Sequence, residues 1–353
     1  MDIDPFELER FFARFEHDAD IMLAESGIRS LDSSRFDSDP GEMGYVIPTN
    51  GDPELRETIG DDHGRDADEV LCTVGCQEAN FLAFAATMGD HAVVVTPTYQ
   101  SLYAVPEAFG EVTKVELEPP EWDLDVDAVA DAIRDDTALV VLNNPNNPTG
   151  RYLSEETVRA VYDLAADNGS YLLCDEVYRL LAEDPLPPVS SLGEYGISTS
   201  SVTKSFGLAG CRFGWLAGPR EVVEAAWNWK DYTTISPTKH GQHIATQALA
   251  QREEILAENR ALADDHREKT RAFVERHGLD WYEPTGVNGF ITVPDGFHSG
   301  ISFCERVVEE ESVVLAPGNA FGQPDYFRLG FGLPTEELEE GLGRLDAFLE
   351  RHA

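Results

Sequence analysis

The segment Ser201-Val-Thr-Lys204-Ser-Phe-Gly207-Leu-Ala-Gly210-Cys-Arg212-Phe-Gly214-Trp215 sets an amine, hydroxyls, a guanidinium and glycines at fixed offsets. An amine can form an imine with an aldehyde. Ser201 and Arg212 can hold a phosphate, and glycines let backbone approach a ligand closely. The ordinary reading of such a lysine is an exposed loop residue. Against it, the chain has only five lysines (Lys114, Lys204, Lys230, Lys239 and Lys269), and this one stands among Phe206, Leu208 and Phe213.

Two upstream segments carry further candidates. Asp175, in Cys174-Asp-Glu-Val-Tyr178, follows the strand-like run Tyr171-Leu-Leu. That places it at a strand's carboxyl end, where ligands gather in open α/β sheets, although a lone Asp there also serves as a turn or cap. The cluster Asn143-Asn-Pro-Asn-Asn147-Pro-Thr-Gly150 follows the run Ala138 to Leu142, and by itself reads as a turn. Farther on, Arg328 is a lone charge between Phe327 and Leu329, a pattern usual for the solvent face of a strand.

Apolar runs of strand length alternate with helix-like stretches from about residue 69 to 230. Strands are expected at Val70 to Val74, Ala92 to Thr96, Ala138 to Leu142, Tyr171 to Cys174, Thr199 to Thr203 and Phe213 to Ala217. Several are continuous Val/Leu runs, as strands buried on both faces require. Helices are expected at Glu78 to Met88 and at Glu155 to Ala166, the latter with Ser154 as N-cap. The alternation indicates βαβ units and a largely parallel sheet. Past residue 240 the pattern changes to one long helix (Gly241 to Arg271), strands at Phe290 to Val293, Val313 to Ala316 and Tyr326 to Phe331, and a C-terminal helix from Glu336. The chain therefore divides into a large α/β domain over 45–240 and a small α+β domain. The small domain takes 1–44, with a helix from Phe6 to Phe15, and 241–353.

Composition narrows the function classes. Sixty-six acidic residues against 26 basic ones give a net charge of -40. A field of this sign repels nucleic acid, and its spread over the whole chain fits a protein from a salt-loving organism. No run of eighteen apolar residues occurs, and the opening MDIDPFELERFF is acidic rather than basic-then-apolar. A cytoplasmic protein with neither membrane span nor signal peptide is expected. Five scattered cysteines (Cys72, Cys76, Cys174, Cys211 and Cys304) have no partner set at metal-ligand spacing and are expected as free thiols, with no metal site.

Taken together, NNPNNPTG, DEVY and SVTKSFGLAGCRFGW, in this order and spacing, resemble the fold-type-I pyridoxal-phosphate enzymes of the class I/II aminotransferase family. The resemblance runs from about Tyr45 to Arg328. It implies a three-layer α/β domain around a mainly parallel seven-stranded sheet, a smaller α+β domain, and pyridoxal 5'-phosphate held by Lys204 as a Schiff base. It further implies that Asp175 pairs with the ring nitrogen, that Asn147 and Tyr178 bond the ring's phenolic oxygen, and that Tyr99 stacks on the ring. Gly75, Cys76 and Gln77 would form the phosphate turn, with Ser201 and Arg212 completing the cup. Arg328 would clamp the α-carboxylate of an amino-acid substrate, whose amino group passes to a 2-oxo acid. Tyr45 would reach the phosphate of a neighbouring subunit, which implies a homodimer. Three features depart from the common pattern: Cys76 and Gln77 in the phosphate turn, the stretch Leu23 to Leu31 in place of a Gly/Pro substrate loop, and Trp227 to Pro237. The last resembles lyase/cyclases of the capreomycidine-synthase kind, so elimination, cyclisation or decarboxylation on the same cofactor stays open beside transamination. A cofactor-sensing regulator is the non-enzymatic alternative, disfavoured by the charge and by the lack of room for a DNA-binding domain.

Overall fold

The continuous apolar runs become the centre of a seven-stranded sheet in the computed structural model, which describes residues 3–352. Its strands are β1 (Val70–Thr73), β2 (His91–Thr96), β3 (Glu111–Glu116), β4 (Thr137–Asn143), β5 (Tyr171–Asp175), β6 (Gly196–Ser201) and β7 (Gly214–Ala217). The spatial order is β1-β7-β6-β5-β4-β2-β3, and β7 alone runs antiparallel to its neighbours β1 and β6. Side chains alternate between two cores. Ala92, Val94, Leu139 and Val141 pack under the helices Cys76–Thr87 and Arg220–Lys230. Val93, Val95, Val140 and Leu142 face the layer that contains the helix Glu155–Asp167. Ser154 caps that helix, its side chain accepting from Thr157 N, as expected.

A second, antiparallel sheet has the order β8-β10-β9, from β8 (Asn288–Thr292), β9 (Ala316–Pro317) and β10 (Tyr326–Gly330). The helices Gly300–Glu311 and Thr335–His352 cover it through Phe303, Val307, Leu345 and Phe348. Among the described residues no helix is long and apolar enough to cross a membrane, and all five cysteines are unpaired.

Several expected elements are corrected. Strand β3 had no signal because it is an edge strand, with Glu111, Lys114 and Glu116 exposed. Strand β6 ends at Ser201 instead of Thr203, so Val202 to Leu208 leave the sheet and carry Lys204 away from it. The single helix expected from Gly241 is two, Lys239–Ala250 and Arg252–Arg276, broken at Gln251, which no Gly or Pro announces. Of the run Val313 to Ala316 only Ala316 joins the sheet; Val313 instead bridges Ile21 in parallel. The N-terminal helix is shorter than expected, Glu7–Phe12, and it packs beside Tyr99: Glu7 N donates to Gln100 Oε1 at 2.8 Å and Phe6 stacks obliquely on Tyr99.

Candidate active site

The carboxyl ends of β4, β5 and β6 and the two sheets' junction enclose a cavity of about 290 Å³. It gathers Cys76, Gln77, Tyr99, Asn147, Asp175, Tyr178, Ser201, Lys204, Arg212 and Arg328, that is, every candidate except Gly75 and Tyr45. Gly75 sits immediately behind the wall, while Tyr45 is 99% exposed and lines no part of the cavity in this single chain.

Lys204 lies just past β6, and its Nζ donates to Ser26 Oγ at 2.8 Å. Asp175 ends β5 and is buried. Its Oδ2 accepts from Asn80 Nδ2 at 2.7 Å and its Oδ1 from Val177 N at 3.2 Å. Burial pushes the Asp175 carboxyl above its usual range, opposed first by the Asn80 amide and then by the Val177 N–H. Asn147 Oδ1 accepts from Arg328 Nη1 at 2.7 Å, and its backbone N–H donates to Asn143 Oδ1 at 2.7 Å. The Asn147 Nδ2 hydrogens remain for a ligand.

Arg328 sits in the middle of β10, the central strand of the small sheet, paired with Phe290 and Ala316. It is only 1% exposed, so the solvent-face alternative fails. Its Nη2 donates to Ala24 O at 2.7 Å, the Phe321 ring lies 5.3 Å from its guanidinium carbon, and its Nε has no hydrogen-bond partner. Tyr99 donates to Glu9 Oε1 at 3.2 Å; burial, then the Glu9 charge, raise its phenol well above the usual value.

Gly75, at φ +82°, precedes the first turn of the helix Cys76–Thr87, whose leading N–H groups have no helical acceptors. A Cβ on Gly75 would lie 2.5 Å from Arg212 Nη2, so the guanidinium passes directly over this turn. Arg212 itself adopts φ +46°, a left-handed conformation uncommon for a residue with a side chain. A helix N-terminus, a guanidinium and the Ser201 hydroxyl form a cup of the right chemistry for a phosphate monoester. The buried carboxylate of Asp175, in the same cavity, suits a protonated heterocycle nitrogen.

Three contributors escaped the sequence. Asn80, on the helix after the phosphate turn, holds Asp175, and its Oδ1 accepts from Thr199 Oγ1 at 2.5 Å. A lone Asn among Ala79, Leu82, Ala83 and Phe84 was the available signal. Ser26 and Ala24, which touch Lys204 and Arg328, come from the atypical N-terminal stretch, where nothing in the residue types marked them.

A three-layer α/β fold with this lysine, aspartate and arginine around one cavity defines a pyridoxal-phosphate enzyme of the fold-type-I class. The sequence profile described as "Aminotransferase class I and II" matches residues 27–345, and the chain belongs to that family. It is 28% identical to an aspartate aminotransferase of Bacillus subtilis (strain 168), over 94% of this chain and 88% of the relative. It is 31% identical to capreomycidine synthase of Streptomyces vinaceus, over 93% of this chain and 84% of the relative. Among solved structures, a PLP-dependent aminotransferase from Streptococcus suis 89-1591 superposes with a TM-score of 0.95 at 28% identity, covering 100% of this chain and 99% of that one. The cofactor of the family is pyridoxal 5'-phosphate.

Proposed function

We propose that this enzyme is an aminotransferase, moving the amino group of an amino acid to a 2-oxo acid. The observation that supports it most is the shared cavity of Lys204, Asp175 and Arg328. When bound, pyridoxal phosphate supplies an electrophilic aldehyde and a ring that withdraws electrons from the substrate's α-carbon. The Lys204 amine holds the cofactor at rest and then carries the proton to and from the α-carbon. Asp175 keeps a proton on the ring nitrogen. Asn147 and Tyr178 bond the phenolic oxygen, Tyr99 packs on the ring, and Gly75, Cys76, Gln77, Ser201 and Arg212 anchor the phosphate. Arg328 would grip the α-carboxylate and so orient the substrate's α-carbon.

The likeness to capreomycidine synthase supports a second reading, a lyase or cyclase acting on an amino acid. Single-turnover addition of one amino acid decides between them. Transamination would release one equivalent of keto acid and shift the absorbance until a 2-oxo acid is supplied; a lyase or cyclase would return the starting absorbance unaided.

We propose further that the enzyme is a cytoplasmic homodimer. Met43, Tyr45 and Ile47 are exposed on one loop, and Trp229, Tyr232 and Ile235 on a neighbouring segment. Trp227 Nε1 donates to Thr49 Oγ1 at 2.9 Å and ties the two together. A second copy covering this apolar face would bring its Tyr45 to the phosphate cup. Light scattering and retention of the cofactor in Tyr45→Ala test this.

A further inference from the structure

Residues 24–26 clasp both ends of the reacting centre, through Ala24 O to Arg328 and Ser26 Oγ to Lys204, and Glu25 lies between them. Glu25 lines the cavity, as do Glu9 and Glu16 from the N-terminal helix and the turn after it. Among the described residues the only cations lining it are Lys204, Arg212 and Arg328, and the first two are proposed to engage the cofactor end. Glu9 accepts from Tyr99, Glu25 and Glu9 both lie within electrostatic reach of Arg328, and neither is ion-paired to any described Lys or Arg. Arg14, the basic residue of the same stretch with a defined partner, turns away to Glu305 at 2.7 Å.

The chain is acidic everywhere, so rim carboxylates alone would carry no weight. The independent mark of a ligand is Arg328, buried, lining the cavity and with its Nε unpartnered, which calls for an anion at that point. A substrate whose α-carboxylate answers Arg328 must extend its side chain into the rest of the cavity. An acidic side chain would meet like charges there and no free cation, a repulsive arrangement that selects against it. A cationic one would meet Glu25 and Glu9.

We infer that the substrate is an amino acid with a cationic side chain, a guanidinium or ammonium group, selected by Glu25 and Glu9. This rests on the amino-acid-transforming reading of the site proposed above. The two carboxylates are solvent-exposed, so each contributes modestly and in a salt-dependent way.

The test is titration of the holoenzyme, followed by cofactor absorbance, with each cationic amino acid against a neutral near-isostere: arginine against citrulline, lysine against norleucine, and glutamate as the acidic case. At least one cationic member should bind on the order of tenfold more tightly than its isostere, and glutamate should bind weakest. Glu25→Gln and Glu9→Gln should each weaken the cationic ligand roughly threefold and leave the isostere unchanged, and molar salt should narrow the difference. Equal binding within both pairs, or preference for glutamate, overturns the inference while leaving the proposed function standing. No absorbance change with any of the five overturns both.

Discussion

Asn80 Nδ2 donates to Asp175 Oδ2 at 2.7 Å, and Asn80 Oδ1 accepts from Thr199 Oγ1 at 2.5 Å, so one buried amide hands a hydroxyl's proton-donating character on to a buried carboxylate. The bond favours the ionised carboxylate against a burial that disfavours it. Asn80→Leu should therefore raise the Asp175 pKa further and strand both partners, at a cost of about 1–3 kcal/mol in stability. The acid limb of the bound cofactor's absorbance titration should move to higher pH. An unmoved titration, with only Tm reduced, would make Asn80 a packing residue.

Of Lys204 and Lys230, only Lys204 lines the cavity. Lys230 is fully buried, bonded to Thr234 Oγ1 at 2.6 Å and 3.6 Å from Glu78 Oε2. Borohydride should fix the cofactor on Lys204 alone. Lys204→Ala should lose that labelling and turnover together, the proton transfer by itself accounting for roughly 10²–10⁴-fold. A peptide map showing the label on Lys230 would refute the assignment.

A pH effect on stability is built in behind the site. His63 is 1% exposed; its Nδ1 lies 2.9 Å from Ile59 O, and its Nε2 accepts from Trp215 Nε1 at 3.2 Å, which requires the neutral ring. Burial, then the Arg179 guanidinium, push its pKa down from 6.5 to about 4. Above 6.5 both folded and unfolded chains are neutral here. Between 6.5 and 4 only the unfolded chain takes up the proton, so stability falls on acidification, by up to on the order of 3 kcal/mol. Glu176, raised by burial to about 7, acts with the opposite sign between 4.5 and 7, and is common to parent and variant. His63→Gln keeps an acceptor for Trp215 and cannot titrate, so its Tm should drop less between pH 6.5 and 4 than the parent's. Parallel Tm curves would show that His63 titrates alike in both states.

What could be read from sequence was whatever stood out chemically against its neighbours. Lys204 and Arg328 are single charges in apolar or Gly-rich surroundings, Asp175 ends an apolar strand run, and the structure brings all three to one cavity. The central strands were visible because burial on both faces demands unbroken Val and Leu. Strand β3 was not, since an edge strand alternates and half of it is charged. The break at Gln251 was invisible because the turn there is made by backbone angles that any residue can adopt. Ser26 and Ala24 acquire meaning only through contacts 178 and 304 residues away in sequence, to Lys204 and Arg328. In an acidic chain another glutamate carries no signal of its own.

Arg328 gives the sharpest separation of substrate binding from fold support. Its two outer nitrogens already donate to Asn147 Oδ1 and Ala24 O, both at 2.7 Å, while Nε is unpartnered. Nε and the second hydrogen of an outer nitrogen form the parallel pair that a carboxylate accepts side-on. Lysine in this place keeps the charge and loses the fork, so Arg328→Lys should be nearly as damaging as Arg328→Ala. A charge-assisted contact of this kind contributes about 1.5–3 kcal/mol, roughly ten- to over a hundredfold in kcat/KM for every amino-acid substrate. Affinity for the cofactor should change less than this, because Asn147 alone among the residues proposed to hold the cofactor is hydrogen-bonded to Arg328. An amine lacking the carboxylate should react at the same slow rate with parent and variant. Steady-state kinetics on an amino acid and on its decarboxylated amine therefore decide the matter: a loss confined to the amino acid makes Arg328 the carboxylate clamp, and equal losses on both make it a strut that holds Asn147 and residue 24 in place.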